Sequence, residues 1–261
     1  MTAARARQVQ ALARLALIDL YRRKDLVVVF LLALLILGPL AFLKPYGLEG
    51  AARYLHEIAL LLLWLASGIL SLGVAARQFP PEFESRTIYP LLAKPVTRGT
   101  LLLGKYLGAG AASLSVLAVF YLAYGVMTGL RQGVWFPEVL LQAIVLHAGC
   151  VLVVTALGML GSLVLTPAAN LTIGGIVTVA MLIGGQRLPL LAAEQPEPLG
   201  AVLTVIHWIA PHVEFFDLRQ RVVHAWPPIS WKICLAALAY AVGYAGLCLT
   251  LAHRVFRRRQ L

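Results

Sequence analysis

Two groups of residues in this chain bring chemistry-bearing side chains close together. The first is the polar stretch 77–99, where Arg77, Glu82, Glu84 and Arg86 fall within ten residues and Lys94, Pro95 and Arg98 follow. Acids and bases mixed this densely between two long apolar runs suit a docking surface, on which charge complementarity selects a soluble partner. The second is the set His207, His212, Glu214, Asp217 and His224. Imidazoles and carboxylates bind zinc or copper, and a metal held here would make the chain a membrane enzyme. The 207–212 spacing does not put both imidazoles on one helical face, so interfacial and helix-capping histidines are the simpler account, and no metal is expected.

Motifs for catalysis on the chain itself are missing. There is no G-x-x-x-x-G-K-[ST] loop to cradle a nucleotide triphosphate, no H-E-x-x-H and no G-x-S-x-G. Gly104-Lys105 lacks a preceding glycine-rich loop, and Lys105 is placed to snorkel toward headgroups. Cys150, Cys234 and Cys248 sit in apolar runs with no C-x-x-C pair, which suits packing thiols.

The elements that must position these residues are membrane helices. Of 261 residues 61% are hydrophobic and 13% charged, with a mean hydropathy of +0.85. A soluble domain would expose too much of that apolar surface to stay dispersed. The net charge of +11 belongs to basic residues flanking apolar segments, which points to lipid headgroups and not to nucleic acid.

Along the chain, 5–25 reads as a basic amphipathic helix in the interface plane, with Val9, Leu12, Ala16 and Leu20 on one face. Spans are expected at 26–43, 58–76, 100–127, 139–165, 171–183 and 233–253. The first is longer than a signal-peptide core and no small-x-small site follows, so it reads as retained. Asn170 stands where it would cap the fifth span. The segment 184–231 then separates spans five and six, and its apolar middle, 199–210, is too short to cross and suits a re-entrant or interfacial helix.

Charge orients the chain. Arg5, Arg7, Arg14, Arg22, Arg23, Lys24, Arg77, Arg86, Lys94, Arg98, Lys105, Arg254, Arg257, Arg258 and Arg259 fall on one side. Lys44, Arg53, Arg131, Arg187, Arg219, Arg221 and Lys232 fall on the other. That bias places both termini and 77–99 in the cytoplasm.

No span carries an acid or base near its middle. A charge there costs about 2.5–3.5 kcal/mol on insertion scales and marks ion or proton pathways, so ion-coupled transport is not expected. His147, inside span four, reads as an interhelical hydrogen bond. Glycines and alanines recur in spans three to six, as close helix packing requires, within one bundle or at a dimer seam.

The run Glu84-Ser85-Arg86-Thr87-Ile88-Tyr89-Pro90-Leu91-Leu92-Ala93-Lys94-Pro95-Val96-Thr97-Arg98, with Gly104-Lys105 and Gly108 after it, resembles the ABC-2 type transporter permease family. That family reads approximately E-x-G-T-I-x-x-L-L-x-x-P-[IV]-[ST]-R, then GK-x-x-G; Arg86 stands in place of its glycine. Pro211–Arg219 is similar to an outer P-N-x-E-x-F-D-L-R segment of some members.

The resemblance implies an all-α membrane protein: a single ABC-2 type domain over 1–261 with six transmembrane helices, an N-terminal interfacial helix and a cytoplasmic coupling helix around 82–92. It implies a permease subunit of the cytoplasmic membrane that forms a homodimer or heterodimer. Two copies of a separate ATP-binding subunit would join it, with ATP and Mg on that partner and no cofactor here. Contact with the partner would run through Glu82, Phe83, Glu84, Arg86, Thr87, Leu91, Lys94, Pro95 and Arg98. The path would lie near spans two and five, with Trp64, Ser67, Ser71 and Thr178 as lining residues, and an apolar path suits lipid-like cargo. The alternatives are a subunit whose motion serves an outer, periplasmic partner, and the metal enzyme above.

Overall fold

A computed structural model describes residues 49–85 and 97–258, with scattered positions between 7 and 38. The expected interfacial helix at 5–25 and first span at 26–43 lie largely outside the described residues, and the positions described there are helical. The remainder forms α1 (Glu49–Ala76), α2 (Pro80–Glu84), α3 (Arg98–Gln132), α4 (Glu138–Gly161), α5 (Pro167–Gly184), α6 (Leu188–Glu194), α7 (Leu199–Ile209), a 3₁₀ turn (Val213–Phe216), α8 (Arg219–Val223) and α9 (Trp231–Arg258). Among the described residues α1, α3, α4, α5 and α9 are long and apolar enough to cross a membrane, and α7 with Val213–Val223 forms a further pair bent by 44°. Every regular element among the described residues is helical, and the chain is a multi-pass membrane protein.

Local chemistry sets the helix ends. Thr97 caps α3 by accepting from the Thr100 N–H at 3.2 Å. At its far end Gly133 takes the left-handed conformation, φ 72°, and donates its N–H to Gly129 O at 2.9 Å. The chain then folds back, and Cβ atoms at Gly125 and Gly129 would overlap Phe136 and Trp135. Pro80 and Pro81 open α2, where a missing N–H costs nothing. The start of α5 differs from the expectation: Thr166, not Asn170, is the cap, accepting from Ala169 N–H at 3.3 Å, and Pro167 follows. Asn170 is buried and donates its side-chain amide to Gly158 O at 2.8 Å, a carbonyl that also accepts the Ser162 N–H at 2.9 Å, so the amide pins α5 to the last turn of α4.

In lipid the hydrophobic effect does not choose which helix faces meet, so small residues and polar pairs must. The central helix is α4: 67% of its apolar window is buried, against 17% for α5 and 22% for α9. It packs against α1, α3, α5 and α9. A Cβ at Gly158 would come 2.8 Å from Ala75 Cβ and Leu72 Cδ1, so only glycine lets α1 and α4 approach this closely.

The segment between α5 and α9 folds back into the bundle. Val213 and Phe216 are fully buried among α4, α5 and α9. A polar collar closes this end. Gln142 donates to Ile229 O at 2.8 Å and accepts from its N–H at 3.0 Å. Trp231 Nε1 donates to Glu138 at 2.9 Å, and Gln220 Nε2 to Glu57 at 2.6 Å. By contrast α7 stays exposed along its apolar length, as a short interfacial or re-entrant helix in lipid would.

Candidate functional site

At the bundle end opposite the collar, α1 stops at Ala76 and the chain turns through Arg77, Gln78 and Phe79 into α2. Phe79 is fully buried. Its ring lies 5.9 Å from Phe83 and 5.2 Å from Phe256, near the end of α9. From α3, Lys105 reaches into the same turn: Nζ donates to Gln78 O, sits 2.7 Å from Glu82 Oε1 and lies 4.8 Å over the Phe79 ring. One turn of chain is thus held by an ammonium, a carboxylate and three phenyl rings.

Lys105 is therefore no snorkelling residue. It is 7% exposed, and its charge is matched by Glu82 inside the protein. A carboxylate and a carbonyl within reach outcompete distant headgroups for the ammonium.

Arg98 at the start of α3 donates to Phe256 O at 2.6 Å and Arg257 O at 3.0 Å, and covers the Phe256 ring at 5.5 Å. It thereby brings a cationic donor to two carbonyls in the last described turn of α9. Of the residues expected to contact a partner, Glu82 and Arg98 turn inward, Phe83 is half-buried on Phe79, and Glu84 is exposed. Arg86, Thr87, Leu91, Lys94 and Pro95 lie outside the described residues.

Trp64, Gly68 and Leu72 of α1, His147, Cys150 and Val154 of α4, and Gly175, Thr178 and Leu182 of α5 line an apolar cleft. Trp64 and Thr178 thus meet in one cleft. Ser67 and Ser71 do not line it: both are fully buried and donate to backbone carbonyls, Ser67 to Trp64 O at 2.9 Å and Ser71 to Ser67 O at 2.6 Å. Thr178 likewise donates to Gly174 O at 2.7 Å, leaving a largely apolar wall.

His147 makes the interhelical bonds expected of it, and more. Nε2 lies 2.9 Å from Ser67 Oγ and Nδ1 lies 3.1 Å from the Tyr121 hydroxyl, so one imidazole ties α4 to both α1 and α3. The histidine and carboxylate set at 207–224 divides. His212 Nδ1 pairs with Glu214 Oε1 at 2.9 Å, and its ring lies 4.6 Å from His207. His224 stacks on Trp226 and Asp217 pairs with Arg219 at 2.7 Å. Among the described residues no three of these types gather as metal ligands.

Spacing alone hid the joint at Phe79. Lys105, Gln78, Phe79 and Phe256 were not expected in it, and the available sign was a lysine two turns inside an apolar helix. A search of curated proteins finds no match to this chain. Against family models, residues 10–261 match the ABC-2 family transporter protein model. With nearly the whole helical bundle inside that match, the chain belongs to the ABC-2 family of membrane transport proteins.

Proposed function

We propose that this permease is the membrane half of an ATP-driven transporter in the cytoplasmic membrane. Two copies of a separate ATP-binding subunit hold ATP and Mg, and two permeases, alike or different, form the path. Family membership supports the division of labour. The observation that carries the coupling role is the build of α2: its inner edge is clamped by Phe79 and Lys105, while Pro81, Glu84 and Ser85 stay exposed. A short helix rigid on one side and open on the other suits a contact that receives a push. The lysine and arginine bias supports placing this end, and both termini, in the cytoplasm.

The cleft between α1 and α5 is the proposed route for cargo. Its apolar walls favour an acyl chain or another amphipathic molecule over a small ion, whose hydration they do not replace.

The test is gentle purification from the native cell into lipid nanodiscs, followed by mass spectrometry. A soluble subunit carrying G-x-x-x-x-G-K-[ST], at about one copy per permease, is the expected companion. Folded permease that arrives alone, from a lysate containing such subunits, overturns the proposal.

A further inference from the structure

We propose that Lys105 is the positioning residue that locks α2 to α3, so that a push on α2 moves α3 and α9 together. The inference rests on the coupling role of α2 and names the residues that transmit it.

All the partners given above for Lys105 lie in the 78–82 turn, between the end of α1 and the body of α2. A backbone carbonyl, a carboxylate and an aromatic face use a lysine's point charge from three directions, which fixes a position better than a single ion pair does. The pair is also shielded: Lys105 is 9% and Glu82 26% exposed at the side chain, so salt screens it less than a surface pair.

The grip continues into α9. Arg98 and Lys105 are seven residues apart, two helical turns, and so lie on one face of α3. Arg98 holds the carbonyls of Phe256 and Arg257, while Lys105 holds the turn before α2. Between them Phe79 packs against Phe256, with ring centroids 5.2 Å apart and planes tilted by 54°. One face of α3 thus clamps α2 on one side and the end of α9 on the other. Glu82 serves inside this clamp, and Glu84 is the acid left facing outward.

A lysine that only satisfied its own charge would leave the α2–α3 distance unchanged on replacement by methionine. The test therefore measures that distance, in the full complex in nanodiscs. Cysteines replace Ser85 and Leu103, both exposed, and carry spin labels; the native Cys150, Cys234 and Cys248 are buried. Pulsed electron resonance is recorded without nucleotide and with ATP plus vanadate.

The expected result is one narrow distance, the same in both states, for the unsubstituted clamp and for Lys105→Arg. Lys105→Met loses that single narrow distance while the ATP-binding subunit still co-purifies. Should Lys105→Met not fold, Glu82→Gln removes the same pair from the other side and is expected to broaden the distance likewise. A narrow distance retained in the neutral variants overturns the proposal, as does a distance in the unsubstituted clamp that shifts with nucleotide. If no ATP-binding subunit accompanies the unlabelled, unsubstituted permease, the coupling role fails, and the nucleotide-free comparison still decides whether Lys105 sets the position of α2.

Discussion

The imidazole of His147 lies flat against the indole of Trp64, with ring centroids 4.3 Å apart and planes 17° from parallel. The contact joins α4 to α1 at the wall of the cleft. The hydrogen bonds around it suit one tautomer. The single Ser67 hydroxyl proton goes to Trp64 O, so Ser67 Oγ accepts from His147 Nε2–H, and Nδ1 accepts from the Tyr121 hydroxyl. One neutral imidazole then satisfies every polar group in the knot. That explains a histidine at membrane depth without an ion path.

Tyr121→Phe removes one donor and leaves Nδ1 buried and unpaired. Interhelical hydrogen bonds in membranes average about 0.6 kcal/mol, because the separated helices find other partners. Here His147 is 1% and Tyr121 2% exposed, so the orphaned nitrogen has no water to turn to. A cost of about 1 kcal/mol is expected, toward the lower end for an unsatisfied buried group. It should appear as a lower apparent midpoint for heat-induced loss of monodisperse protein. Ser115→Ala, which removes only a hydroxyl bonded to Ala112 O, is the control. Equal midpoints for the two variants would remove the knot's role in holding three helices.

The α4–α5 turn makes a steric prediction. A Cβ at Gly161 would overlap the Asn170 side-chain amide, which is engaged with Gly158 O. Gly161→Ala must displace that amide or part the helices, at a cost of about 1–3 kcal/mol for overpacking. Gly175→Ala, in the next helix, meets open space within 4 Å and should be silent or slightly stabilising. Expression and thermal midpoint of the two alanine variants, read side by side, give the answer. If Gly175→Ala proved the more damaging, the packing at this turn would be wrong.

Much of the architecture was legible because hydropathy at membrane length is a strong signal: α1, α3, α4, α5 and α9 fall where long apolar runs predict spans. Their ends were less legible. Asn170 looked like a cap because its residue type suits one, and nothing local reveals that Gly158 O, twelve residues earlier, would claim it. The candidate site was half visible. Residue types marked 77–99 as special, but whether a charge faces out or in depends on partners distant in sequence. Glu82 turns inward for Lys105, and Arg98 for carbonyls near residue 256. Ser67 and Ser71 share a face with Trp64, yet helix packing seals both hydroxyls against the backbone, and of the three Trp64 alone borders the cleft.

Arg219 ties the segment that returns between α5 and α9 to the bundle. Its Nε and Nη2 bond both Asp217 oxygens, at 2.9 and 2.7 Å, and its guanidinium lies 5.6 Å over the Trp64 ring. Arg219→Met keeps the stem but loses the fork, leaving the partly buried Asp217 carboxylate with the backbone N–H of residue 219 and no countercharge. The stretch 217–226 should then open more often and be cut roughly tenfold faster by a protease added to the collar side, the equivalent of about 1.4 kcal/mol in local opening. Cleavage at the unsubstituted rate would mean that Val213 and Phe216 alone hold the segment in place.

The cleft itself offers the test of cargo chemistry. Its walls combine α1, α4 and α5, and the position where a Gly175 Cβ would sit has no neighbour within 4 Å, so a larger side chain there enters the cleft without displacing a helix. In nanodiscs containing a phospholipid with a photoreactive acyl chain, cross-links should map to Ile69, Val154 and Val179. They should also map to Val242, which is 75% exposed on α9 and reports ordinary surrounding lipid. Gly175→Leu is expected to suppress the cleft cross-links severalfold and leave those at Val242 unchanged. An acyl chain bound in the cleft competes with the leucine for the same volume, whereas surrounding lipid does not. Equal loss at both places would mean the substitution disturbed the fold. Undiminished cleft labelling would mean that the chain reaches those residues from the bilayer and that the cleft holds no cargo.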